Sequence, residues 1–410
     1  MRVFGVLLLF GFTLFLTNNF SPKSVGQYDF VRSFLLVIGS ICLLGCDQSI
    51  LYFRGKLKGT NALYALKGIY KKSVGLLFSM SMILFLVVFC TNKDYVNTFF
   101  SDQGLHSILL KSSGILFFSA LTTLNIEVFR ALDRLYVAEL FRNTIKHIPL
   151  ILGAILLVYI KKEIYLVDAF LIGFVILAII TTILVFNYFG KVKTNTVNEP
   201  VTYKEIVVKS YPIAISGMAL FLLMSFDIMF LKKYRDDETV AFYSLAVKLM
   251  TILSMVIVTV NITASTKIAE YFSIKNNGEL NKIVKNSSRL IFILTLPAVV
   301  LICVFSEYIL SFFGSDYLAA KDALLILIIG QGICSVFGSA SVYLNMTGRQ
   351  HLFQVILVVA VFINFVLNGL LIPQYGMTGA AVAFVVSSFL WNFISAAIIY
   401  YKDKVKVYLN

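Results

Sequence analysis

Apolar runs of roughly twenty residues, parted by short polar stretches, repeat along the whole chain. A helix rises about 1.5 Å per residue, so each run matches the hydrocarbon thickness of a bilayer. Twelve such runs are read, at 3–17, 25–53, 73–90, 105–126, 147–160, 169–189, 210–231, 240–263, 290–313, 323–346, 352–372 and 380–401. The pattern predicts an all-α integral membrane protein with twelve transmembrane helices. Runs two and eight are long enough to tilt or overrun the bilayer. His147 and Pro149 blur the start of run five. Met1–Thr17 is read as the first span and not a secretory leader, because "LTNNFSPKS" holds no small-x-small cleavage site.

The longest polar connection near the middle, "GKVKTNTVNEPVTYKEIVVK" at 190–209, divides the spans six and six. The expected organisation is a six-helix lobe over 1–190, a cytoplasmic linker over 191–209, and a second six-helix lobe with a short tail over 210–410. "VGQYDFVRSF" opens span two and "VAFYSLAVKL" opens span eight. Both place a tyrosine three residues after a valine and a cation four or five residues later. A match at equivalent places in two six-span halves supports duplication. A six-span shift preserves direction, so the pseudo-twofold axis runs along the membrane normal. With the N-terminus inside, the inner segments carry 24 Lys and Arg and the outer segments 8. The excess of basic residues in inner segments orients both termini to the cytoplasm.

The chain is 59% hydrophobic and 14% charged, with a net charge of +14. In a soluble protein that charge would suggest nucleic acid. Here it belongs to the inner loops, and no basic stretch interleaved with aromatics on a soluble domain is present. The five cysteines, Cys42, Cys46, Cys90, Cys303 and Cys334, sit in apolar runs as small fillers, with no zinc-ligand spacing. His106, His147 and His351 stand at different span ends. There is no phosphate-binding P-loop, HExxH, GxSxG or dinucleotide fingerprint, so neither an enzyme nor a cofactor is expected. The longest outer segment, 91–104, is too short for a catalytic domain.

Ionisable groups inside spans are costly and mark function by default. Arg32, Lys111 and Lys248 lie roughly 9–12 Å from the outer ends of their spans, counting about 1.5 Å per residue. A common depth in both halves points to a shared water-filled cavity lined by cations. Snorkelling to the interface and internal salt bridges are the other readings. Asp227, near the outer end of span seven, is a candidate ion-coupling carboxylate or a partner for Lys248. Asp47, near the inner end of span two, is a second coupling candidate, or a cap or partner of Arg54. Tyr28, Tyr243, Asn261, Gln331 and Asn345 offer the aromatic and amide surfaces that sugars use. Asn364 and Asn368 share a helix face, where hydrogen bonding between helices is the plain expectation. Glu127 and Arg130 read as interfacial.

Several stretches resemble one family. "YPIAISGMALFLLMSFDIMFL" with "VAFYSLAVKL", "YILSFFGSDYLAAKDALLIL", "NFVLNGLLIPQYGMTGAAVAFVVS", "SPKSVGQYDFVRS" and "LLGCDQSILYFRGK" are similar to the Wzx-type polysaccharide flippases. These belong to the multidrug/oligosaccharidyl-lipid/polysaccharide exporter superfamily. The resemblance implies two lobes around a central cavity and alternating access driven by a proton or sodium gradient. It implies an oligosaccharide on undecaprenyl pyrophosphate as substrate, flipped to the outer leaflet of the bacterial cytoplasmic membrane. Membrane lipids and the polymerase and glycosyltransferases of the same pathway are the implied partners. O-antigen, capsule and exopolysaccharide all remain open as products. A drug or organic-cation antiporter of the same superfamily and a lipid II-type flippase are the alternatives. The intramembrane cations speak against the first, and the second typically has fourteen spans.

Overall fold

The computed structural model describes residues 2–59, 65–190 and 201–409. Residues 191–200 of the expected linker lie outside the described residues. Two compact units are found, Met1–Phe221 and Leu222–Asn410. The division falls inside span seven, some way past the polar stretch at which the sequence placed it. No strand occurs among the described residues.

The first unit contains α1 (Arg2–Asn19), α2 (Pro22–Leu43), α3 (Cys46–Gly59), α4 (Leu66–Cys90), α5 (Lys93–Phe100), α6 (Leu105–Ala131), α7 (Leu135–Asn143), α8 (Ile148–Tyr159), α9 (Leu166–Phe189) and the start of α10 (Tyr203–Tyr234). Its centre is α6, which packs on α2, α3, α4 and α9 through buried Leu116, Leu124 and Phe129. Span two is not one helix. Leu44 and Gly45 both take left-handed backbone angles and separate α2 from α3. Span five also differs from the expected run. It extends over Leu135–Tyr159 as α7, a short 3-10 turn at Ile145–His147, and α8. The expected start at residue 147 is therefore its middle.

The second unit contains the rest of α10, α11 (Asp237–Ser273), α12 (Asn277–Val304), α13 (Ser306–Ser311), α14 (Lys321–Ser335), α15 (Ala340–Met346) and α16 (Gln350–Asp403). The helix α11 packs on α12, α14 and α15, and the last two pack on α16. Gly376, at φ 58 and ψ −129, breaks α16 into spans eleven and twelve. Arg235 covers that break and donates to the Pro373 carbonyl at 3.1 Å.

Nine helical segments are long and apolar enough to cross a bilayer. The shorter apolar helix Phe4–Asn19, α10, and the second span held within α16 bring the total among the described residues to twelve. Ile172, Ile176, Ile179 and Ile183 form an exposed stripe on α9, a surface that lipid covers.

Candidate functional site

In the second unit, polar groups from three spans meet in an otherwise apolar interior. Asp227 on α10 is 1% exposed. The hydroxyl of Tyr243 on α11 donates to one carboxylate oxygen at 2.7 Å. The Asn368 amide on α16 donates to the other at 2.8 Å, and also to the Asn364 oxygen at 3.0 Å. The i, i+4 spacing of the two asparagines places both on the face of α16 turned toward α10. No cation pairs with Asp227 among the described residues. The Asn368 Oδ1 and Asn364 Nδ2 atoms are buried and find no hydrogen-bond partner there. A buried carboxylate held by neutral donors beside an orphaned amide oxygen is a set of oxygens suited to a proton or a small monovalent cation.

The polar cluster after Asp227 lies at the turn between α10 and α11. Lys232 and Asp237 are both buried and pair at 2.5 Å, joining α10 to α11. Asp236 accepts from the Thr239 backbone N–H and caps α11. Lys248 lies about 16 Å along α11 from its first residue and is partly exposed. Asn261, Gln331 and Asn345 are partly exposed as well, and the Asn261 oxygen has no partner among the described residues.

In the first unit, Arg32 lies about 15 Å along α2 and is one-third exposed, with the buried carboxylate of Asp29 at 3.9 Å. Asp29 is a neighbour the sequence reading overlooked, one turn from Arg32. Lys111 lies about 9 Å along α6 from its first residue. It is ion-paired with Asp168 of α9 at 2.7 Å. That pair matches the internal salt-bridge reading. Asp47 stands in the first turn of α3, where Gln48 donates to it, and not beside Arg54. Arg54 instead binds Asp133 and the Ala131 carbonyl. Glu127 is 3% exposed and is shared by Arg130 and Arg142, which ties α6 to α7.

The two tyrosines expected to face sugar are enclosed. Tyr28 is 3% exposed and meets Phe170 edge-on at 5.0 Å. Tyr243 is fully buried, with its hydroxyl committed to Asp227. Neither ring offers a face to a ligand, because each fills the helix–helix core one turn from its cation.

Known proteins place this architecture. Residues 1–266 match the sequence profile described as polysaccharide biosynthesis protein, and residues 212–370 match the MatE profile. The probable low-salt glycan biosynthesis flippase Agl15 of Haloferax volcanii is 27% identical over 173 residues, 41% of this chain and 36% of that protein. The fold is similar to an inward-facing multidrug resistance MATE family transporter, with a TM-score of 0.75 over 98% of this chain and 96% of the other at 14% identity. It is also similar to the lipid II flippase MurJ in an inward closed conformation. There the TM-score is 0.66 over 96% of this chain and 87% of the other, again at 14% identity. With its profile spanning well over half of the sequence, the chain belongs to the polysaccharide biosynthesis protein family.

Proposed function

We propose that the protein flips a lipid-linked oligosaccharide across the bacterial cytoplasmic membrane, and that an ion gradient drives the step through Asp227. The expected carrier is undecaprenyl pyrophosphate, an anionic head group on a lipid tail. Such a head group must leave water while its tail stays in lipid, so it needs donors and positive charge within the membrane. We assign that charge to Arg32 and Lys248, about 15 Å along α2 and about 16 Å along α11. Sugar hydroxyls would find Asn261, Gln331 and Asn345. An organic-cation antiporter would carry the opposite charge at those depths. The glycan flippase of Haloferax volcanii and the family profile favour the same reading.

The observation that carries the coupling is the buried carboxylate of Asp227 with neutral donors and an orphaned amide oxygen. Loading a cation or proton there satisfies the Asn368 oxygen or discharges the carboxylate. Either event alters the bonds that join α10, α11 and α16 inside the second unit. That is how ion binding would bias one conformation over another. The Asp227→Asn variant keeps the shape and removes the charge. Expressed to the same level in a flippase-deleted strain, it should restore at most about a tenth of the surface polysaccharide that the wild-type protein restores. In vesicles, its residual transport should no longer respond to an imposed proton or sodium gradient. A wild-type rate with an unchanged ion response would make Asp227 a structural group.

A further inference from the structure

The end of span nine carries an apolar surface that runs on past its helix. Along α12, Ile293, Pro297, Val300 and Val304 recur at three- and four-residue steps and are all exposed, a stripe of the kind that lipid covers. The stripe does not stop where α12 ends. Phe305 continues it, and α13 turns Ser306 and Leu310 inward while Tyr308 and Phe312 stay exposed, their rings meeting edge-on at 4.8 Å. Phe313 is buried, and Gly314, at φ 117, turns the chain into a 3-10 segment at Ser315–Ala320 that leads to α14. The inner face thus pins α13, and its aromatic face points outward. The first unit has a short helix at the same place in its chain order. There α5, between spans three and four, exposes Tyr95 and Phe99, with rings stacked at 6.2 Å. Aromatic rings at the ends of spans sit at the level of lipid head groups.

Between α13 and the start of α14 lies an open recess of about 690 Å³, a volume typical of small-molecule sites. Val304, Phe305, Tyr308 and Leu318 form its apolar wall. Its charged groups are Glu307 and Lys321, paired at 2.6 Å. The height of this pair follows from the helix. Arg289 is the last charge on α12, and Val304 lies about 22 Å beyond it. Glu307 is the next charge in the sequence, so the pair stands near the level at which hydrocarbon gives way to head groups. Stability does not account for the pair, because exposed ion pairs contribute little. The recess is not simply cationic either. Asp322 adjoins Lys321 and adds a second carboxylate, which disfavours a purely anionic occupant.

We propose that this recess seats the head group of a phospholipid that carries a primary ammonium, from the leaflet at this end of span nine. The charges are complementary. The lipid ammonium donates to the Glu307 carboxylate, and the lipid phosphate accepts from the Lys321 ammonium. One ion pair opens into two, and no proton is transferred. The acyl chains continue down the exposed stripe of α12. A choline head group has no N–H to donate, and a glycerol head group brings no cation to Glu307. The proposal is independent of what the protein transports.

The test reads lipid binding to the purified full-length protein in detergent by native mass spectrometry. Phosphatidylethanolamine, phosphatidylcholine and phosphatidylglycerol of matched chains are supplied separately. Wild-type protein should hold its first phosphatidylethanolamine about tenfold more tightly than either of the other lipids. Glu307→Gln should weaken phosphatidylethanolamine and strengthen phosphatidylglycerol, a crossing that a lost fold cannot produce. Lys321→Gln should weaken both, because each lipid loses its phosphate partner. Tyr308→Ala should weaken all three together. Glu279→Gln, in the Glu279–Lys282 pair near the start of α12, should bind as wild type. Equal retention of the three lipids by wild type, an unchanged preference in Glu307→Gln, or the same change in Glu279→Gln would overturn the seat. Binding of soluble N,N′-diacetylchitobiose that Glu307→Gln abolishes would also overturn it, and would assign the recess to sugar.

Discussion

Gly45 shows how much of this architecture depends on a single missing carbon. Its φ of 74 follows the left-handed Leu44, and together they turn span two between α2 and α3. A Cβ at this position would lie 2.5 Å from the Ser210 carbonyl oxygen and 2.8 Å from the Ala214 nitrogen, both backbone atoms of α10. Backbone cannot swing aside as a long side chain can. Ser210 and Ser49 are both buried beside this contact and share a hydrogen bond at 2.7 Å, so the approach is locked. Gly45→Ala should combine left-handed strain with a steric clash and destabilise the protein by ~2 kcal/mol or more. A thermal melt in detergent should fall clearly for Gly45→Ala and hardly at all for Gly55→Ala, where nothing stands within 4 Å of the new methyl group. Equal melts would mean that α10 yields freely at this contact. At the same scale, Asp227 was legible in the sequence because a carboxylate in an apolar run stands out. Asp29 was not. It sits one turn from an arginine, which invites the reading of a local pair and hides how little of the carboxylate reaches solvent. Lys111 was misjudged for the opposite reason: Asp168 is 57 residues away in sequence, and only the packing of α6 on α9 brings the two together.

At the scale of elements, the apolar runs located most spans because a lipid-facing helix must be apolar. The same rule fails for a helix whose polar side chains pair within the protein. Leu135–Asn143 carries Glu139, Arg142 and Asn143, and Thr144, Lys146 and His147 follow. That polarity moved the expected start of span five to residue 147 and turned a broken helix into a loop plus a short span. Arg142 binds Glu127 and Asn143 donates to Glu139, so these polar side chains are spent within the unit and leave no apolar signal. Span ten is broken as well, between α14 and α15, where Gly338 takes a φ of 58. Here the chain's own tail fills the gap. The Leu409 N–H donates to the Val336 carbonyl at 2.8 Å, and the Ser288 hydroxyl of α12 donates to the Val407 carbonyl at 2.7 Å. Val405 and Val407 are buried, and a Cβ on Gly338 would meet the Val407 oxygen at 2.7 Å. The tail thus supplies a donor to a carbonyl that the interrupted helix leaves without its own. Val407→Asp would bury a carboxylate among these apolar contacts and should lower stability by about 3 kcal/mol. Limited proteolysis should then release the tail, while Lys406→Asp, one residue away and exposed, should leave it protected. A tail equally resistant in both variants would show that it is not held by Val407.

At the scale of the whole molecule, charge sets the expected orientation in the membrane. The revised span five takes Arg142 and Lys146 out of the inner segments, and the inner total falls from 24 to 22 against 8 outside. The bias survives because most inner charge lies in 54–72, 190–209 and 265–289, none of which the revision touches. The protein carries its own reporter for the outer face. Cys90 is the last residue of α4 and is exposed, whereas Cys42, Cys46 and Cys334 are buried and Cys303 is partly covered. With cytoplasmic termini, α4 ends outside. In a Cys303→Ser background, a membrane-impermeant maleimide added to intact cells should therefore modify Cys90, and Cys90→Ser should abolish the signal. A cysteine placed at Lys282, 66% exposed near the start of α12, should react only after the membrane is opened. Labelling of the residue-282 position in intact cells, with Cys90 silent until permeabilisation, would invert every span. It would also reverse the proposed direction of travel. Arg32 and Lys248 are counted from the span ends taken as outer, so inversion would place an anionic head group's approach to them on the cytoplasmic side. The labelling experiment thus fixes which leaflet lies nearer these cations before any transport is measured.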